Sequence, residues 1–285
     1  ARMGGMMTVT VYRVGTCNLR YRMADRLAAA DVASVAEGQE PDVAGLQECG
    51  KASRKAAVLK AAQDAGYAVS QPEGSPLPIL YRADRFEFVT AWTVFLSPRT
   101  FVGLPGAGLS PWFPECRANV LVLKDQPTGV VSVHVNVHLV ASIYLPVRKR
   151  LHDQELRNLD VLVARLRRLH PDAPLFVFGD FNCDANRVRK AIGLGGGTEG
   201  PTLKKRAIDH VFSTVKATSV EVMPHLHTDH SAVVSEHHRE EKPVPVTGYP
   251  KADRAVQWFG SVFVGSPIDP NVIVLHTTES AGWPA

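Results

Sequence analysis

Five short strings carry residues able to do phosphate chemistry: Cys17-Asn18, Leu46-Gln47-Glu48, Asn136-Val137-His138-Leu139, Gly179-Asp180-Phe181-Asn182, and the pair Ile208-Asp209-His210 with Thr228-Asp229-His230. Each follows or opens an apolar run that reads as a buried strand. Polar residues at several strand ends can meet along one edge of a sheet, where α/β folds place their ligands. Carboxylates, amides and imidazoles so gathered suit metal-assisted attack on a phosphate ester. Glu48 is the natural ligand for a hard cation such as magnesium, with Asn18 beside it. Asp180 and Asn182 are two apart, and on an extended segment would point the same way. His138 and His230 supply imidazoles that titrate near neutrality, with Asp209 and Asp229 as their orienters or as further ligands.

The elements that must position these residues follow from pattern. Thr8 to Val14 alternates as a first strand, and Met23 to Glu37 repeats apolar residues at helical spacing. Val43 to Leu46 is a buried strand, and Ala52 to Ala65 a helix stopped by Gly66. Ile79 to Arg82 with Phe86 to Phe95, and Ala118 to Leu123 with Val130 to Val137, read as strand pairs. Pro98 to Pro114 reads as a loop with apolar residues Phe101, Leu104, Leu109, Trp112 and Phe113. Val147 to Leu169 is the longest helix, with Leu151, Leu159, Leu162 and Leu166 on one face. Leu175 to Phe178, Ile208 to Phe212 and Ser231 to Ser235 complete the strands.

The bulk numbers are ordinary for a globular protein. The 285 residues are 45% hydrophobic and 21% charged, with a net charge of +4 that permits a polyanionic substrate without requiring one. The four cysteines stand far apart without zinc spacing and are expected as buried free thiols. No stretch has the length and apolarity of a membrane span, and no signal-peptide pattern opens the chain. The expectation is a cytoplasmic protein and a monomer. His210 is expected to be structural, and His225 and His227 to be solvent-exposed.

The strings in this order resemble the endonuclease/exonuclease/phosphatase superfamily, the deoxyribonuclease I-like group, from Thr8 to Ser235. The resemblance implies an α/β fold, a four-layer α/β/β/α sandwich of two packed mixed sheets with outer helices. It implies a Mg2+-dependent phosphoesterase, with Mn2+ as a substitute, whose substrate is nucleic acid. Carried over by position, Glu48 binds the metal with Asn18, and Asp229 assists. Asp180 and Asn182 position and activate the nucleophile. His138 is an acid or a phosphate contact, Asp209 orients His230, and His230 meets the scissile phosphate. Arg117 matches a phosphate-contacting arginine. The stretch Ser75-Pro76-Leu77-Pro78 departs from relatives that carry an acidic partner for the first histidine there. The same motifs serve a phosphatase or a sphingomyelinase-like esterase on a small or lipid phosphate. An inactive binding or cell-wall-associated module is the reading of a different class.

Composition divides the chain into a catalytic domain over 7–237, a charged and proline-spaced linker over 238–250, and a segment over 251–285. That last segment, with His276-Thr277-Thr278-Glu279 and Gly282-Trp283-Pro284, resembles the start of a phage-type peptidoglycan amidase domain, too short for a core of its own; this resemblance implies a phage-encoded protein in a bacterial host as the alternative to a cytoplasmic one.

Overall fold

A computed structural model describes residues 8–50, 52–72, 75–101, 112–141, 144–223, 227–241 and 275–276. In chain order the elements are β1 (Thr8–Asn18), α1 (Asp25–Gln39), β2 (Val43–Gln47), α2 (Ala52–Asp64), β3 (Tyr67–Ser70), β4 (Ile79–Arg82), β5 (Phe86–Ser97), β6 (Thr100–Phe101) and β7 (Trp112–Phe113). There follow β8 (Cys116–Asp125), β9 (Val131–His138), α3 (Pro146–Leu169), β10 (Leu175–Asp180), α4 (Ala185–Ile192), β11 (Gly195–Gly196), β12 (Asp209–Ser213), β13 (Ala217–Met223), β14 (Ala232–Glu241) and β15 (Leu275–His276).

Two mixed sheets form, ordered β13-β14-β1-β2-β4-β3 and β11-β12-β10-β9-β8-β5-β15. Three apolar clusters separate four layers. Val32, Val35 and Val58 pack the helices α1 and α2 onto Leu46 and Leu80 of the first sheet. Leu159, Leu162 and Leu166 of α3 pack onto Val135 and Val177 of the second. Between the sheets lie Tyr12, Val14, Val43, Leu121, Phe176 and Phe178. This is the α/β/β/α sandwich. The parallel pairs β1–β2 and β9–β10 are each joined through a crossover helix, α1 and α3; β2 and β10 are buried along their whole length and read as apolar runs.

Contact between the sheets is close enough to dictate a glycine. A β-carbon at Gly45 would stand 2.7 Å from the Asn136 side chain, so only glycine lets Asn136 and Phe178 cross beneath β2.

Several elements differ from the sequence reading. β14 continues to Glu241, paired with β1 back to Thr8, so the first residues assigned to the linker complete a strand; the run of charged residue types there hides the β pattern. β13 and α4 were unread. Leu275 and His276 pair with Val94 and Thr93 of β5, while the rest of the amidase-like segment, most of the linker, the start of the chain, His225, and Leu104 and Leu109 lie outside the described residues. Among the described residues no helix is long and apolar enough to cross a membrane. All four cysteines are free and buried, as expected.

His134 sits fully buried in the inter-sheet core, stacked 5.2 Å from Phe176 with Nε2 2.9 Å from the Ser132 hydroxyl. Burial, helped by the charge of Arg85, pushes its pKa down to about 3 from 6.5. The folded state holds it neutral while the unfolded chain takes up a proton below pH 6.5. Its contribution is therefore lost as pH falls from 6.5 toward 3. Between pH 6.5 and 5, His134→Phe is expected to lose about 2 kcal/mol less stability than the parent chain, at ~1.4 kcal/mol per pH unit. Denaturant midpoints at the two pH values check this; equal losses would contradict it.

Candidate active site

The strands run so that the strings meet at one end of the sandwich. Asn18, Gln47, His138 and Asp180 close the carboxyl ends of β1, β2, β9 and β10. Asp209 opens the antiparallel β12, and His230 lies two residues before β14. Arg117, near the start of β8, falls opposite His138 in the register set by Ala118 and Val137. Alternation sends Asn18, Asn136, His138 and Asp180 toward the space between the sheets.

Asn18 stands at the centre. Its Nδ2 donates to Glu48 Oε1 at 3.2 Å and to Asp180 Oδ2 at 3.0 Å, so one amide gathers two carboxylates from different sheets. Its Oδ1 accepts from the Arg20 amide at 2.9 Å. The other Glu48 oxygen accepts from the Tyr21 amide. His138 Nε2 lies 3.6 Å from Asp180 Oδ2 and 4.0 Å from Glu48 Oε1. The acidic neighbour that Ser75–Pro78 fails to provide is thus supplied from within the site.

Asp180 is buried. Its pKa rises to about 6, through desolvation first and the nearby Asp209 charge second, against the pull of His138, His230 and the Asn182 amide. His230 Nδ1 sits 2.9 and 3.2 Å from the two Asp209 oxygens. Burial works against its charge, but the Asp209 hydrogen bond and the charges of Asp209, Asp180 and Asp229 overcome it and lift the pKa to about 9. Ligand atoms of Asp180, Asp209 and His230 lie within 4.8 Å of one another.

Two backbone conformations distinguish this edge. Glu48 has φ 65° and Asn182 φ 54°, left-handed values that cost non-glycine residues energy and persist where surroundings enforce them. At Glu48 the strand alternation is broken and the carboxylate turns toward Asn18. At Asn182 the expected extended geometry is replaced by a turn. The Asn182 amide caps Asp180 Oδ1 at 2.8 Å, while its side chain donates to Leu139 O at 2.9 Å. The two residues meet by this turn rather than by strand alternation.

The outer residues are placed less centrally. Asp229 pairs with Arg20 at 3.6 Å on a half-exposed rim. The Arg117 guanidinium is held by Glu115 and lies 4.3 Å over the Phe95 ring. His210 is structural, accepting from the Thr198 amide and bonding Cys183 O. His227 is half exposed, but its Nδ1 lies 2.7 Å from the buried Asp31.

Other supporting residues were not foreseen. Gln47 and Asn136, although inside the motifs, act as struts. Gln47 Nε2 donates to Asn136 Oδ1 at 2.7 Å, and Asn136 Nδ2 donates to the carbonyls of Leu46 and Pro78 in the facing sheet. Asp31 of α1 accepts from the amides of His227 and Thr228 and so holds the segment that leads to His230. Glu155 of α3 accepts from the Val140 amide and the Ser97 hydroxyl behind His138; burial raises its pKa to about 7.

The family described as the Endonuclease/Exonuclease/phosphatase family matches residues 15–230, the span that holds every residue above. The chain belongs to this family. Its members hydrolyse phosphate esters, and the chain is a phosphoester hydrolase of this kind. The match does not extend to an amidase domain. No curated protein matches the sequence. Among solved structures, an endonuclease/exonuclease/phosphatase protein from Bacteroides vulgatus is similar at TM-score 0.63 and 19% identity, covering 81% of this chain and 100% of its own. A mannosyl-6-phosphatase from Bacteroides thetaiotaomicron gives 0.56 and 18%, covering 79% and 98%. TDP2 from D. rerio, complexed with a single-strand DNA product, gives 0.58 and 15%, covering 80% and 98%. At these identities the likeness is one of fold.

The donor set fits a hard divalent cation. Two carboxylates share one amide donor, and carboxylate oxygens such as those of Glu48 and Asp180 are the hard ligands such an ion takes, while Asn18 Oδ1 accepts from the Arg20 amide.

Proposed function

We propose that the protein is a magnesium-dependent nuclease that hydrolyses phosphodiester bonds. The observation carrying this reading is the Asn18 amide, which joins Glu48 and Asp180 within reach of His138 and beside the Asp209–His230 pair. When bound, a divalent ion offsets negative charge on the phosphoryl oxygens. Glu48 and Asn18 would hold it, with Asp229 assisting from the rim, and manganese would serve in place of magnesium.

The chain's own groups account for the rest. Asp180, with a pKa near 6, is largely ionised at neutral pH and basic enough to take a proton from the attacking water. The Asn182 amide fixes the orientation of that carboxylate. His230, held cationic by Asp209, meets the phosphate as a charged donor. His138 donates to a phosphoryl oxygen or to the leaving oxygen, and Arg117 contacts a neighbouring phosphate once it leaves Glu115.

Nucleic acid as the substrate draws support from the rim. Tyr21, beside Glu48, is 52% exposed, and Tyr144, between His138 and α3, is 77% exposed. Such rings suit stacking of unpaired bases, with Arg20 to meet the backbone once it leaves Asp229. The solved relative carrying a DNA product agrees with this. An esterase acting on a small or lipid phosphate is the second reading. It draws on the exposed Phe101 and Trp112 of the β6–β7 ribbon and on the phosphatase relative. The convergence of so many catalytic types argues against an inactive module. The proposed domain limits remain 7–237 with the β14 extension to 241.

Glu48→Gln tests the metal assignment. A neutral amide is a weaker ligand for magnesium, so the magnesium concentration for half-maximal DNA cleavage is expected to rise about tenfold or more. An unchanged magnesium curve would remove Glu48 from the ion.

A further inference from the structure

Among the described residues, Arg54 of α2 is the largest side chain buried to 0% exposure. An apolar residue could fill that volume without a charge to desolvate, so a buried guanidinium calls for another account. Its donors identify one. Nη1 reaches the carbonyls of Arg20 at 2.8 Å, Leu19 at 3.4 Å and Glu48 at 3.5 Å. Nη2 donates to Met23 O, and Nε to Asp25 Oδ1 at 3.2 Å.

These acceptors belong to two segments that surround one carboxylate. Residues 19–23 follow Asn18 and supply the Tyr21 amide to Glu48. The Glu48 carbonyl belongs to the residue held at φ 65°. Arg54 thus ties the turn after β1 to the end of β2 from beneath. Its donors go to carbonyls and to Asp25 rather than to the Glu48 carboxylate, whose two oxygens accept from Asn18 Nδ2 and the Tyr21 amide.

We infer that Arg54 is a positioning residue for divalent-cation binding, holding Glu48 and Asn18 in register for the ion. The inference rests on the reading of Glu48 as a metal ligand. The planar fork matters because lysine offers three donors from one point and cannot span these carbonyls.

Magnesium binding to the full chain, measured by titration calorimetry and by the rise in thermal midpoint with added magnesium, tests it. Arg54→Lys is expected to weaken magnesium binding by about 10–100-fold while keeping kcat at saturating magnesium within a few-fold. A lowered midpoint with unchanged magnesium affinity would make Arg54 a structural residue only and overturn the inference. Should Arg54→Lys fail to fold, Asp25→Asn decides. It removes the charge of a partly exposed partner of the guanidinium while keeping one acceptor oxygen, and is expected to weaken magnesium binding to a smaller degree; unchanged affinity overturns the inference. Glu48→Gln runs in the same titration. If Glu48→Gln leaves binding unchanged, the reading of Glu48 has failed. If it weakens binding and Arg54→Lys does not, the inference about Arg54 has failed alone.

Discussion

Asp180→Asn is expected to cut hydrolysis by about 10²–10⁴-fold, the range for loss of a general base, with the fold retained. Asparagine keeps the shape and its single oxygen can still accept from one of the two donors, Asn18 Nδ2 or the Asn182 amide, but it cannot take a proton. Stability should hold or rise, because burial and the Asp209 charge oppose the ionised carboxylate in the parent chain. The measurement is kcat at saturating magnesium alongside the thermal midpoint. Activity within a few-fold of the parent, in a folded variant, would remove Asp180 from the chemistry.

Gly179→Ala is expected to be among the most damaging single changes to stability. Gly179 has φ 141°, outside the range of L side chains, and a β-carbon there would overlap the Val137 carbonyl oxygen and stand 2.9 Å from its carbon. Val137 is its partner on β9, so the strand pair that presents His138 and Asp180 would have to part. Backbone strain of about 1–3 kcal/mol and overpacking of about 1–3 kcal/mol together give roughly 2–6 kcal/mol, a large share of a typical domain's stability. Denaturant unfolding of the variant checks this. A loss below about 1 kcal/mol would contradict the close approach of β9 and β10.

The strand-end strings were legible because each relies on local pattern, whereas the four-layer sandwich followed only from the family resemblance those strings carry. Buried strands read as apolar runs, and a polar residue at the end of each run marks the edge where ligands sit. What was not legible depends on partners distant in sequence. Arg54, Asp31 and Glu155 are single charges on amphipathic helices, where a solvated position is the simpler reading; only the folded chain brings carbonyls and amides to them. Gln47 and Asn136 lie within the motifs, yet their job of tying the sheets depends on how the sheets face each other. The turn at Asn182 hides for the same reason, since its left-handed backbone is set by Asp180 and Leu139 together. β13 is an exposed edge strand with weak alternation. α4 had a usable signal: Asp184 caps its start through the Arg187 amide and Gly193 ends it with φ 63°.

The central claim is that this edge cleaves phosphodiester bonds of nucleic acid with magnesium. It is tested most directly by incubating the purified chain with plasmid DNA, RNA oligonucleotides, sphingomyelin and sugar or inositol phosphates, each with magnesium and with a chelator, and with Asp180→Asn in parallel. The expected result is cleavage of DNA or RNA that requires magnesium and is lost in Asp180→Asn. Turnover of only the sphingomyelin or the small phosphates, or nucleic-acid cleavage that survives Asp180→Asn, would contradict it.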